Sequence, residues 1–330
     1  MRSDFVQQQH SVCDFSNSDS WVILSPIEQS IKRKIEAVGT PLKDWDIQIN
    51  YGIKTGFNDA FIISSEKRNE ILSNCQSEDE RKRTAELIRP ILRGRDIKRY
   101  GYDWADLWLI ATFPSRKYRI DDYPSVRNYL LSFAYDYLME NGNEEIAINH
   151  LADFCIQKLS QTGQHIIING KNVLDAKGNK EKGRKKTSNK WFETQDSISY
   201  WDLFFQPHIC WKAVGRNLTF AIVPSGTFLT APASFISAED KNDYILAFLC
   251  SKIGKYYIYQ NSDTTGAGDI MLNIQSLIQF PIPQSIDNRI IELCKELQKN
   301  PNGNLQDKLD DLIYKSYGFN AEEISEIERC

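Results

Sequence analysis

The strongest constraint on the fold of this chain comes from residues 45–63. In the first half of this stretch, large apolar residues alternate with polar ones, which is the period-2 pattern of a half-buried β-strand. Lys54-Thr-Gly56 interrupts the pattern with a glycine that can adopt positive φ, and a second apolar run follows. The pattern predicts a β-hairpin with Lys54 and Thr55 at its tip. A surface hairpin with a merely solvated lysine fits these residues equally well.

Length and composition are those of a soluble globular protein with one sizeable core or two domains. The chain has 330 residues, of which 41% are hydrophobic and 25% charged. No apolar run approaches the roughly 20 residues that span a bilayer, and the first ten residues lack the apolar core of a signal peptide. The seven cysteines include no C-x-x-C pair, so reduced thiols are expected and zinc is not. The sequence predicts a cytoplasmic protein without a membrane partner.

Charge is distributed unevenly along the chain. The formal net charge is −4, yet basic residues are concentrated in residues 81–99 and 177–190, and acidic ones in residues 307–328. Binding to a polyanion depends on where the charge sits as well as on its sum. The sequence therefore predicts a basic face on an acidic protein.

Local patterns divide the chain into helices and strands. Residues 1–20 are polar and read as a flexible leader or the remnant of an interdomain linker. Ser25-Pro-Ile-Glu28 has the signals of a helix start with a capping box, and Gly39 ends that helix. A second capping box at residues 237–240 predicts a helix from Asp243 to about Gln260. Strands are expected at residues 107–113, 209–213, 218–223 and 227–236, and two or three amphipathic helices after residue 283.

Residues 169–190 differ from their surroundings because they are rich in lysine and glycine and poor in core-forming residues. Such a segment buries too little apolar surface to offset its conformational entropy. The composition predicts a mobile basic loop that becomes ordered on DNA. The alternative is a β-hairpin ordered in the free protein, with Asn172-Val-Leu174 as one strand and Asp175-Ala-Lys-Gly178 as its turn.

Three segments carry a family resemblance. They are Gly52-Ile-Lys-Thr-Gly-Phe-Asn-Asp-Ala-Phe61, Ile88-Arg-Pro-Ile-Leu-Arg-Gly-Arg-Asp-Ile-Lys-Arg-Tyr100 and Asn189-Lys-Trp-Phe-Glu-Thr194, here called the first, second and third motifs. In this order they resemble the C-terminal specificity domain of TaqI-type DNA adenine-N6 methyltransferases and type IIG restriction-modification enzymes. The resemblance covers residues 21–283.

The resemblance implies an α+β fold with a mixed β-sheet target-recognition domain, appended helices and a C-terminal helical segment at residues 284–330. In that family this domain reads double-stranded DNA, and a separate N-terminal domain binds S-adenosylmethionine and transfers the methyl group. The implied partners are double-stranded DNA and a methyltransferase domain in cis or in trans. The implied parent enzyme is an adenine-specific DNA methyltransferase, with or without endonuclease activity.

The chain itself is predicted to be non-catalytic and to hold no cofactor or metal. Adenine methyl transfer needs an Asn/Asp-Pro-Pro-aromatic segment to hold the flipped base, and the sequence contains none. A Gly-rich strand-to-helix turn of the type that binds the cofactor is missing as well. Acidic residues with a nearby lysine, as in Glu181-Lys182, occur in any charged sequence and do not indicate a nuclease.

Candidate DNA contacts lie at the predicted hairpin tip and in the basic segments. Lysine and arginine neutralise phosphates, and polar side chains on loop tips can reach base edges. The candidates are Lys54, Thr55, Asn58, Arg93, Arg95, Lys98, Arg99, Lys182, Arg184, Lys185, Lys186 and Lys190. Two alternatives stay open: a solvated basic surface, and a scaffold domain of a restriction or phage-defence complex without DNA specificity of its own.

Overall fold

A computed structural model describes residues 24–131, 167–169, 172–174 and 187–329. The predicted leader at residues 1–20 lies outside them. The helices are α1 (Pro26–Val38), α2 (Asn58–Phe61), α3 (Ser65–Ser73), α4 (Glu78–Leu87), α5 (Pro124–Leu131), α6 (Asn242–Leu249), α7 (Lys252–Asn261), α8 (Ile274–Leu277), α9 (Asn288–Lys299), α10 (Gly303–Tyr317) and α11 (Ala321–Glu328). In the described part of the chain, no helix has the length and apolar character needed to cross a bilayer.

The strands are short and belong to several small sheets. They are β1 (Thr40–Pro41), β2 (Gln48–Tyr51), β3 (Ile62–Ser64), β4 (Ile88–Leu92), β5 (Leu107–Ile110), β6 (Ile167–Asn169), β7 (Asn172–Leu174), β8 (His208–Trp211), β9 (Val214–Gly215), β10 (Phe220–Val223), β11 (Phe228–Leu229), β12 (Ser234–Ser237), β13 (Asp263–Thr264), β14 (Ile270–Met271) and β15 (Pro281–Ile282). Helices and mixed sheets occur together, so the predicted α+β class is confirmed.

Two four-stranded sheets form the centre of the fold. The first sheet has the order β10-β8-β12-β2 and is antiparallel throughout. The second sheet has the order β11-β4-β5-β3, with β11 parallel to β4 and the other pairs antiparallel. The region predicted as one strand at residues 227–236 is therefore two strands, and each belongs to a different sheet.

The hairpin predicted around Lys54 is wrong. β2 pairs with β12 in the first sheet, whereas β3 pairs with β5 in the second. Between them, the Ile53 amide donates to the Leu229 carbonyl at 2.7 Å, and the Ile53 carbonyl accepts from the Ala231 amide at 3.0 Å. Because Ile53 is bound to this distant segment, the two halves of residues 45–63 diverge instead of pairing.

The start of α1 agrees with the sequence pattern. The Ser25 hydroxyl accepts from the Glu28 amide, and the Glu28 carboxylate accepts from the Ser25 amide at 2.7 Å. Ile31 and Ile35 are buried on the inner face of the helix. The predicted helix start and apolar stripe are confirmed, and the buried face of α1 belongs to the same core as Ile209 and Ile236 of the first sheet.

The long helix predicted from Asp243 is two helices, α6 and α7. The second predicted capping box does not form, because the Ser237 hydroxyl bonds to the Gln206 side chain and α6 begins at Asn242 without a side-chain cap. Ser251 caps α7, and the buried Asp310 carboxylate accepts from the Lys252 amide at 2.8 Å. These bonds satisfy backbone amides at a second helix start. The chain therefore forms two helices instead of the one continuous helix that was predicted.

The first sheet separates two hydrophobic cores because its strands alternate their faces. Ile209 and Ile236 point into a core with α1, α6 and the C-terminal helices, whereas Cys210 and Phe235 point into a core with the second sheet. The three helices α9–α11 supply buried residues such as Ile290 to the first core. The amphipathic helices predicted after residue 283 are confirmed, and they pack on the same core as α1.

Residues 172–174 form a strand within the segment predicted as a mobile loop. β7 is antiparallel to β6, with Ile167 opposite Leu174. A strand at these residues was part of the hairpin alternative, but its partner is residues 167–169. The stretch 175–186 lies outside the described residues, so its ordering on DNA stays a prediction.

His208 is a buried histidine on β8 with one hydrogen bond. Its Nδ1–H donates to the Gln206 carbonyl at 2.9 Å, and its ring packs on Phe204 and Phe235. Burial lowers the pKa of His208 to about 4. The folded protein therefore holds this imidazole neutral at pH values where the unfolded chain protonates it.

We expect this difference to make stability depend on pH. The unfolded chain binds more protons between pH 6.5 and pH 4, so the free energy of unfolding falls as the pH drops through that range. The loss attributable to His208 is about 2 kcal/mol at pH 5. Urea unfolding at pH 7.5 and pH 5 should show a smaller loss for His208→Gln than for the wild type. Equal losses would contradict the assignment.

Candidate nucleic-acid interface

The first motif begins where the Gly52 backbone meets the segment Thr230–Ala233. The Gly52 amide donates to the Ala233 carbonyl at 2.7 Å. A Cβ on Gly52 would lie 2.6 Å from the Thr230 carbonyl carbon and 2.8 Å from the Ala233 carbonyl oxygen. Any residue with a side chain would force the two backbones apart, so glycine is required by space at this position.

After this contact the chain forms a tight turn that presents Lys54 and Asn58. Thr55 is fully buried, and its hydroxyl donates to Asn58 Oδ1 at 2.7 Å and accepts from the Phe57 amide at 3.1 Å. Thr55 was predicted as a DNA contact at the tip; the structure instead places it inside the turn, where it orients Asn58. Lys54 and Asn58 are exposed and line an open cleft of about 360 Å³, with Ala231 on the other wall.

The two residues that directly follow the third motif, Gln195 and Asp196, dock on this turn through backbone hydrogen bonds. The Gln195 amide donates to the Thr55 carbonyl at 2.9 Å, and the Asp196 amide donates to the Lys54 carbonyl at 3.2 Å. In return, the Lys54 amide donates to the Asp196 carboxylate at 3.0 Å. These bonds fix the position of the third motif relative to Lys54.

Asn189 and Lys190 occupy the start of the third motif. The Asn189 side-chain amide donates to the Thr194 and Gln195 carbonyls, both at 2.9 Å, and so closes the turn on itself. Lys190 is exposed, with its Nζ 5.7 Å from the centre of the Phe192 ring. Its charge therefore lies on the surface beside the docked turn.

The second motif approaches the same segment from the opposite side. The Leu92 carbonyl accepts from the Thr230 amide at 2.9 Å. A Cβ on Gly94 would lie 3.9 Å from Ala233 Cβ and 3.1 Å from Lys212 Cβ. Residues 229–233 thus lie between the first and second motifs, while the third motif docks on the first. The fold brings together three motifs that are far apart in the sequence.

Arg93 is committed to an internal ion pair. Its guanidinium donates to both carboxylate oxygens of Asp96, at 2.7 and 2.9 Å, and its amide donates to the same carboxylate. Burial raises the pKa of Asp96, but the hydrogen bonds and charge of Arg93 outweigh burial and hold that pKa below its usual range. Arg93 therefore holds the turn, and its predicted phosphate contact stays a prediction.

The other cations of the second motif point to two different surfaces. Arg95 and Lys98 are exposed beside Gly94, and Lys98 Nζ lies 3.6 Å from the Asp103 carboxylate. Arg99 points away from them, donates to the Cys250 carbonyl and lines a separate cavity of about 400 Å³ beside α7. Two of the four DNA contacts predicted in this motif, Arg95 and Lys98, therefore lie on the exposed surface beside Gly94.

The other four predicted contacts are not placed. Lys182, Arg184, Lys185 and Lys186 lie outside the described residues. Their proposed contact with phosphates therefore stays a prediction that rests on sequence alone.

Arg116 and Lys117 lie beside the third motif and were not predicted from the sequence. They belong to a 3₁₀ turn after β5 whose Ser115 hydroxyl donates to the Ile198 carbonyl at 3.0 Å. Arg116 is exposed and stacks on Trp201, with its guanidinium carbon 3.9 Å from the ring centre. The signal was available, because Pro-Ser-Arg-Lys directly follows a predicted strand and two of its residues are basic.

Comparison with known proteins gives a result for the fold alone. The sequence matches no family model and none of the curated proteins. The structure is similar to the type IIL restriction-modification enzyme MmeI, solved in complex with DNA, with a TM-score of 0.51 and 13% identity over 87% of this chain and 35% of MmeI. It is also similar to the type IIG restriction endonuclease BpuSI, with a TM-score of 0.50 and 14% identity over 92% of this chain and 31% of BpuSI.

The fold is one found in restriction-modification enzymes. This chain spans about a third of the length of each of the two solved structures. Among the described residues, no group of His, Cys, Asp and Glu side chains is arranged to hold a metal ion.

The two arginines that flank Gly94 should respond differently to removal. Arg93→Ala leaves the buried Asp96 carboxylate without its partner and should lower the free energy of unfolding by about 2 to 3 kcal/mol. Arg95→Ala removes an exposed side chain and should change it by less than about 0.5 kcal/mol. Urea denaturation of both variants checks this. Equal effects would show that Arg93 does not hold the turn.

Proposed function

We propose that this chain recognises a specific sequence of double-stranded DNA, as the specificity part of a restriction-modification adenine-N6 DNA methyltransferase. The observation that carries the proposal is the meeting of the three motifs: the first and second flank residues 229–233, and the segment that follows the third bonds to the first. The motifs resemble those of TaqI-type target-recognition domains, and the fold occurs in MmeI and BpuSI. Methyl transfer and S-adenosylmethionine binding would belong to a partner domain, in cis or in trans.

Lys54 and Asn58 are the proposed base-reading residues. Both are exposed on the open cleft, and the backbone around Lys54 is fixed by the bonds to Asp196. Because the Thr55 hydroxyl donates to Asn58 Oδ1, the exposed Asn58 side-chain amide is held in one orientation. Lysine pairs with guanine edges and asparagine with adenine edges in the major groove. A fixed orientation lowers the entropy lost when such bonds form.

Arg95, Lys98 and Lys190 are the proposed phosphate contacts. They are exposed around the segments that position Lys54, and the structure gives Arg95 no ion pair among the described residues. Phosphate contacts set the register of a protein on the duplex and supply affinity without sequence preference. In this proposal the three cations supply binding affinity for any DNA, and Lys54 and Asn58 supply the preference for particular base pairs.

The test begins with selection of bound duplexes from a randomised pool by the wild-type protein, followed by fluorescence anisotropy at several salt concentrations. Lys54→Ala and Asn58→Ala should each cost about 1 to 3 kcal/mol on the selected duplex and relax preference at one position. Arg95→Ala should weaken binding to every duplex and lower the salt slope by about one. The matched control is Lys308→Ala, which removes an exposed lysine of α10 outside the three motifs.

Two outcomes would contradict the proposal. If the selected pool showed no enriched sequence while binding depended on salt, the chain would bind DNA without reading it. If the wild type did not bind duplexes at all, the scaffold alternative would replace DNA recognition.

A further inference from the structure

Lys212, at the end of β8, has its side chain bounded by two glycines from different parts of the chain. A Cβ on Gly94 would lie 3.1 Å from Lys212 Cβ, and a Cβ on Gly215 would lie 2.7 Å from both Cε and Nζ of Lys212. Neither glycine has positive φ. The absence of side chains at these two glycines leaves a trough in which the Lys212 side chain lies.

The ammonium group in this trough has no counter-ion in the part of the chain that the structure describes. The nearby Arg216 is paired, with its Nε 3.7 Å from the Asp269 carboxylate, but no such pair includes Lys212. A surface lysine normally loses about 2 kcal/mol of rotamer entropy when it is immobilised. Here the trough restricts the stem before any partner arrives, so an anion that binds Nζ would pay less of that cost.

A small sheet next to the trough carries exposed apolar side chains. β14 pairs with β9 and β13 with β14, and Val214 lies opposite Met271. These two residues are 44% and 36% exposed, and because they lie opposite each other on paired strands they form an apolar pair on one face of the sheet. An apolar pair beside a cation suits a polyanion that also has apolar groups, such as the sugars and thymine methyls of DNA.

The trough is continuous with the candidate interface. A Cβ on Gly94 would lie within 4 Å of both Lys212 and Ala233, and Arg95 follows Gly94 directly. Lys212 therefore lies next to the exposed cations of the second motif, and away from the cavity lined by Arg99.

We propose that Lys212 and the β9–β14–β13 sheet form a second DNA-contacting element. Lys212 binds a backbone phosphate, and the Val214–Met271 pair packs on the adjacent sugar or thymine methyl. This inference rests on the proposed function, since it takes the same duplex as the partner. It adds residues outside the three motifs to the interface.

Two variants separate the charge of Lys212 from its position. Lys212→Met keeps most of the stem in the trough and removes the charge. Gly215→Ala keeps the charge but places a methyl group where Nζ lies, and only the flexible end of the lysine has to move. Both should fold like the wild type, with unchanged thermal midpoints. Lys308→Ala again serves as the control.

Anisotropy on the selected duplex should show about tenfold weaker binding for Lys212→Met and a salt slope lower by about one. Gly215→Ala should weaken binding in the same direction although Lys212 is present. Wild-type affinity in Lys212→Met together with weakened binding in Arg95→Ala would overturn this inference and leave the proposed function intact. Loss of duplex binding in the wild type itself would overturn both.

A second measurement needs no variant. Acetylation of the wild-type protein by an N-hydroxysuccinimide ester, followed by mass spectrometry, reports the accessibility of each lysine. The selected duplex should protect Lys212 and leave Lys308 reactive. Equal reactivity of Lys212 with and without the duplex would contradict the proposed phosphate contact.

Discussion

The close approach of the Gly52 backbone to residues 230–233 is the contact on which the rest of the interface depends. These residues join β11 of the second sheet to β12 of the first, and the bond between the Ala231 and Pro232 residues is a cis peptide. Gly52 in turn follows β2, the strand that pairs with β12. A side chain at Gly52 would separate these backbones, and with them the two sheets that position the motifs.

Polar contacts then fix each motif relative to this centre. The Thr55 hydroxyl donates to Asn58, and the Thr55 carbonyl accepts from the amide of Gln195, directly after the third motif. One buried residue therefore joins the first motif to the end of the third. Arg93 and Asp96 do the corresponding work in the second motif. The residues that build the surface are thus distinct from the residues that the surface exposes, although both kinds lie side by side in the sequence.

The sequence predicts the local elements well because their signals are local. The cap of α1 depends on residues three apart, and the strand character of β2, β5 and β8 depends on neighbouring side chains. Pairing partners have no such signal: β2 joins residues 234–237, almost 190 positions away, which a reading of residues 45–63 alone could not show. Ile53 and Thr55 are buried, but Tyr51 at the same period-2 spacing is exposed, so alternation alone does not predict the buried position of Thr55.

The formal net charge of the chain says less about its charged surfaces than the pairing of individual side chains does. Glu323 in the acidic C-terminal region accepts from Lys34 at 2.6 Å and from Ser30 at 2.7 Å, which holds α11 against α1. Asp307 and Glu328 pair with Lys252 in the same way. The acidic residues of the C-terminal helices thus pair with Lys34 and Lys252, whereas Arg95 and Lys190 are exposed at the motifs. This explains how an acidic chain can present a basic surface.

The central claim is that three distant motifs form one DNA-reading surface, and ultraviolet cross-linking of the protein to its selected duplex tests this most directly. Mass spectrometry of the cross-linked peptides should identify residues 52–59, 94–98 and 189–196 in the same complex. Cross-links confined to α9–α11, or to one motif with the other two unmodified, would contradict the account.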